Sequence, residues 1–125
     1  MGTAVAGSQS LGTMPEEQRA ELQGKLNVLW TENKAMVLER MDLLEREFWN
    51  WLKMPGDRTA SIIARDMAHK MAGVLGTFGM QRGSMIASTL ERIAGMPRHG
   101  GQSRIGPSTV YGLLSELREI VRAKS

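Results

Sequence analysis

Apolar residues recur at helical spacing along most of the chain. Between Pro15 and Leu52 the positions Leu26, Leu29, Trp30, Val37, Met41, Leu44, Phe48 and Trp51 follow the three-and-four rhythm of one helix face. Pro15 suits a first helical turn, and Glu16 and Glu17 sit where the helix dipole favours carboxylates. Only Gly24 interrupts this stretch, which is long for one helix, so two helices divided near Trp30 to Lys34 are expected. Met54-Pro55-Gly56-Asp57 reads as a turn. A further helix is expected over Thr59–Phe78, with Asp57 or Thr59 as N-cap and Gly79 as a left-handed stop. The next runs over Arg82–Ala94, carrying Met85, Ile86, Leu90 and Ile93 on one side. Residues 95–107 hold four glycines and two prolines, a loop. After Pro107 a last helix starts at Ser108 or Thr109, with Val110, Leu113, Leu114, Leu117, Ile120 and Val121 as its stripe. No period-two alternation lasts long enough for a strand. The pattern predicts an all-α fold, an antiparallel four-helix bundle with an extra N-terminal helix segment.

Composition narrows the chemistry. With 42% hydrophobic residues among 125, the chain can supply one core, which excludes wholesale disorder. Residues 1–14 are small, polar and uncharged and read as a disordered leader, leaving 15–125 as the folded domain. No apolar stretch matches a membrane span, and the start lacks the charges and apolar block of a signal peptide, so a cytoplasmic protein is expected. The chain has no cysteine, which removes thiolate chemistry, disulfides and cysteine-based metal sites. Two histidines, His69 and His99, thirty residues apart, cannot build a histidine-rich metal centre alone, and no metal is assigned to this chain.

On a helix over Thr59–Phe78, Ile63, Met67, Met71, Val74, Leu75 and Phe78 gather on one side at about 100° per residue. His69 falls nearly opposite, so it is expected to face outward, with Ile62, Arg65, Asp66, Ala72, Gly73 and Gly76 around it. Gly73 and Gly76 each cost a helix roughly 1 kcal/mol relative to alanine. What they offer is a shallow patch where a second protein can approach the imidazole, with Ile62 and Ala72 as a small apolar border. Charge is concentrated on the same segment: residues 58–104 carry seven basic and two acidic side chains, whereas 15–57 carry six and nine. Arg65 and Lys70 lie within a turn of His69, a field suited to an acidic or phosphorylated partner. An idle surface histidine on a solvated basic face remains the plain alternative.

The run Ala68-His69-Lys70-Met71-Ala72-Gly73, continuing through Val74-Leu75-Gly76-Thr77-Phe78-Gly79 to Leu90-Glu91, resembles the signature of histidine-containing phosphotransfer (HPt) domains. Looser similarity reaches back to Leu29-Trp30, Val37-Leu38-Glu39-Arg40 and Leu43-Leu44-Glu45. Met71 stands where leucine is usual, Leu75 is bulkier than the family's common residue, and Gln81-Arg82-Gly83 is less typical. The resemblance implies a helical module of two-component phosphorelays, in which His69 takes a phosphoryl group from a receiver aspartyl-phosphate and passes it on. The partners it implies are response-regulator receiver domains, with a hybrid histidine kinase as a further candidate. Mg²⁺ would come with the receiver and no cofactor with this chain. Lys70 or Arg65 would steady the phosphoryl oxygens, Gly73 would admit the receiver, and Asp66 would orient the ring. With no phosphate-binding glycine loop of the nucleotide type, the chain would relay phosphate as a carrier, not as a kinase.

Other classes make different demands. A docking adaptor would bind receivers without accepting phosphate, and retention of His69 argues against it. Gly106 to Leu114 resembles the start of a helix-turn-helix recognition helix, and the pI near 9.7 suits nucleic acid. Yet glycine-rich residues precede it where a packed first helix is needed, and Glu116 and Glu119 accompany its bases. No nucleic-acid partner is therefore expected. A helical protein oligomerising through Trp49, Trp51 and the methionines is a further alternative, although an exposed working face favours a monomer. His99 receives no role.

Overall fold

The computed structural model describes residues 14–54, 56–96 and 105–125. Among these the chain is all-α, with four helices and no strand: α1 over Glu16–Lys53, α2 over Arg58–Thr77, α3 over Gln81–Ala94 and α4 over Pro107–Ala123. The expected leader except Met14, Pro55 of the expected turn, and residues 97–104 with His99 lie outside the described residues.

Local chemistry explains where most helices begin and end. Asp57 caps α2, its carboxylate accepting from the Ala60 N–H at 3.1 Å. Gly79 ends that helix at φ +81°, where the Met80 N–H donates to the Leu75 carbonyl at 2.9 Å. Pro107 opens α4 behind an extended Gly106, slightly earlier than Ser108 or Thr109.

The expected break near Trp30 is absent, and α1 is one helix of 38 residues. Nothing between Trp30 and Lys34 removes a backbone donor or disfavours helical dihedrals, so length alone did not call for a break. Compactness nevertheless divides the chain at that place, into residues 1–32 and 33–125. In the first unit the described side chains are largely exposed, Trp30 being the buried exception. It carries local bonds, such as Gln23 Nε2 to Asn27 Oδ1 at 3.0 Å.

Within residues 33–125, side-chain bonds set the helix directions. Ser61 Oγ donates to the Ala94 carbonyl at 2.6 Å and Ser84 Oγ to the Ala72 carbonyl at 2.8 Å, so α2 and α3 run antiparallel. The segment of α1 in this unit meets α4 the same way. Lys34 Nζ donates to the carbonyls of Arg122 and Lys124, Arg118 reaches Asp42 and Glu45, and the Trp49 ring leans on Tyr111. The core of this unit is built from Met41, Leu44, Phe48, Leu75, Leu90, Val110, Leu117 and Val121, and no polar or charged side chain is buried among the described residues.

The buried face of α2 differs from the expected one. Ala60, Ala64, Ala68, Met71, Ala72 and Leu75 are buried, whereas Ile63 is 40% exposed. A column of alanines meets α3 because small side chains permit close approach, and the bulkier apolar residues mark only the flank of the contact. Gly83 on α3 serves the same closeness: an added Cβ would lie 3.0 Å from Leu75 Cδ1 and 3.4 Å from Ile120 Cγ2.

Candidate functional site

His69 lies in the third quarter of α2 with 72% of its side chain exposed. The rotation of the buried face leaves it outside, because the alanines at 64, 68 and 72 point to α3 and carry residue 69 past the contact edge. Its Nδ1 stands 3.1 and 3.2 Å from the two carboxylate oxygens of Glu91, which α3 supplies from the facing helix. An ionised carboxylate can only accept, so Nδ1 carries the proton and donates it. In the neutral imidazole the lone pair then sits on Nε2. Ile62, Arg65, Asp66, His69 and Glu91 line a shallow depression of about 310 Å³.

The remaining expected site residues fall into distinct places. Asp66 does not orient the ring; it pairs with Lys70 one turn on, at 3.0 Å, and Glu91 makes the imidazole contact instead. Lys70 is exposed and also lines a groove of about 470 Å³ together with Arg40, Met67, Met71 and Val74. Arg65 is exposed and has no ion pair among the described residues; its Cδ packs where a Cβ at Gly95 would stand, 3.0 Å away. Ile62 is 52% exposed beside the depression. Ala72 is not part of the outer border, being buried against α3 with its carbonyl accepting from Ser84.

The two glycines part company as well. A Cβ at Gly73 would meet no atom within 4 Å, so nothing in the fold demands glycine there. A Cβ at Gly76 would stand 3.4 Å from Ser84 Oγ, an ordinary contact, so Gly76 looks toward α3 without close packing demanding glycine there. Glu91 was the residue whose role sequence reasoning missed. The available signal was scarcity: residues 58–104 contain only two carboxylates, Asp66 and Glu91. Among the described residues no cluster of three histidine or carboxylate side chains could hold a metal ion, and no helix is long and apolar enough to cross a membrane.

No family model matches the chain, and no solved structure matches it. Among curated proteins it is similar to protein RcaC of Microchaete diplosiphon, with 31% identity over 97 residues. That segment is 75% of this chain but only 14% of RcaC, so the likeness concerns a small part of the larger protein.

Proposed function

We propose that residues 33–125 form an antiparallel four-helix bundle of the HPt kind, in which His69 carries a phosphoryl group between receiver domains. The observation that carries the reading is the exposed His69 imidazole with Nδ1 engaged by Glu91 and Nε2 free toward solvent. The antiparallel pairs α2–α3 and α1–α4 support the bundle. RcaC is a two-component phosphorelay protein, and the similarity supports that signalling class for this chain.

In the accepting step the Nε2 lone pair attacks phosphorus of an aspartyl-phosphate. The bond from phosphorus to the carboxylate oxygen breaks, and the aspartate leaves with that electron pair. The proton on Nδ1 stays in place, held by Glu91, so the imidazole needs no general base. Passing the group on reverses these events: the N–P bond breaks and the ring departs as neutral imidazole. Arg65 and Lys70 supply positive charge for the phosphoryl oxygens, and the open volume over Gly73 admits the receiver. The receiver's acidic cluster would bring Mg²⁺, which neutralises charge on the transferring group. The chain acts as a carrier and draws no phosphate from ATP.

Incubation with a phosphorylated receiver and Mg²⁺ tests this, beside a His69→Gln control. Acid-labile, base-stable label on the wild type and none on the control is the expected result. Retained receiver binding without label transfer would favour a docking adaptor.

A further inference from the structure

On the α1–α4 seam lies an aromatic surface that the phosphotransfer reading does not use. Trp49 is 47% exposed and Tyr111 is 41% exposed, and their rings meet at a tilt of 37° with 5.3 Å between centroids. The neighbouring Trp51 is buried and unavailable. An exposed indole beside a tyrosine and arginines is the composition of an interface centre, and scattered single apolar residues do not produce it.

Charge along α1 says what fits there. Asp42, Arg46, Trp49 and Lys53 are spaced by four, three and four residues, so they share one stripe of the helix. The stripe is acidic at one end and basic at the other, with the indole between. Such a pattern is complementary to itself when reversed. Two copies laid antiparallel, with the two-fold axis between Arg46 and Trp49, bring each Asp42 opposite the partner's Lys53. Arg46 then faces the partner's indole. Both ends can take part: Asp42 is 66% exposed although it accepts from Arg118, and Lys53 Nζ sits 5.7 Å from the centroid of the Trp49 ring. That contact also shows that the indole face accepts a cation.

We propose that this face is an isologous interface with a second copy of the chain, centred on Trp49 and Tyr111 and registered by reciprocal Asp42–Lys53 pairs. It makes the protein a dimer, in contrast to the monomer expected from the exposed His69 face. It does not depend on the phosphotransfer reading, since His69 and Glu91 take no part.

Sedimentation of the full chain over a wide concentration range tests the proposal. The mass is expected to rise from 13.8 kDa toward twice that value. Lys53→Asp and Asp42→Lys each place like charges opposite one another and weaken association roughly tenfold or more. An equimolar mixture of the two variants is expected to restore the dimer, because each chain then offers the complement of the other. Circular dichroism and urea melts of both variants check that the fold is kept, Lys53→Asp because it serves as the clean case and Asp42→Lys because Asp42 also accepts from Arg118; only folded variants enter the mixture. A wild type that stays at 13.8 kDa throughout overturns the proposal, as does a dimer indifferent to Lys53→Asp and Trp49→Ala, or a mixture that fails to associate.

Discussion

The α2–α3 pair and the α1–α4 pair are both antiparallel, yet different groups fasten them. Between α2 and α3 the part-buried bonds are neutral, from Ser61 and Ser84 hydroxyls to backbone carbonyls, alanines fill the contact, and the one carboxylate bond among the described residues, His69 to Glu91, lies at its exposed edge. Between α1 and α4 the bonds are ionic: Lys34 sits on the last carbonyls of α4, and Arg118 forks onto Asp42 and Glu45. Glu45 first and Asp42 second hold the Arg118 guanidinium above the ordinary arginine pKa. Charge spent on closing a seam is held first by the fold, with only its exposed side left for a partner, as at Asp42, while a seam closed by hydroxyls and methyls leaves its charges outside. The second arrangement is the one beside His69, where Arg65 stays unpaired among the described residues.

The comparison can be broken in order of effect. Arg118→Ala leaves two carboxylates without their cation and should destabilise the fold by about 1–2 kcal/mol, a loss that shrinks in high salt. Urea melts at low and high ionic strength measure it; equal losses at both would show that the seam is not ionic. Ser84→Ala removes a neutral, part-buried bond to the Ala72 carbonyl and should cost about 1 kcal/mol, independent of salt. Lys34→Ala frays the last turn of α4, worth roughly 0.5–1 kcal/mol, read as faster amide exchange confined to that turn. Gly73→Ala should stabilise the protein by a few tenths to ~1 kcal/mol, because the helix gains and no packing resists. The same variant should slow label transfer from a receiver severalfold. Unchanged transfer would deprive the open volume over Gly73 of a function.

How far these features were legible in the sequence follows from the range of the forces involved. Helix existence is local, so Asp57, Gly79 and Pro107 marked their ends correctly, and the outward placement of His69 followed from its phase on α2. Which alanines meet α3 is not local. Alanine is weakly apolar and common on any face, so the column 60-64-68-72 carried little signal beside Ile63 and Met67. The same limit assigned ring orientation to Asp66, the carboxylate nearest in sequence. Glu91 comes within reach only through the antiparallel register of α3, which depends on the turn at Gly79 and on the close contact at Gly83. The continuous α1 shows the opposite case, where no residue broke the helix and the expected break rested on length alone.

Three tryptophans in such unequal surroundings give the protein a built-in optical reporter. Trp30 and Trp51 are shielded from solvent, so iodide or acrylamide in solution should quench the emission of Trp49 and leave the other two. One tryptophan of the three therefore reports on a single α1–α4 surface, without a label or a substitution. Whatever covers that surface becomes visible as a loss of quenching and a blue shift of the exposed component.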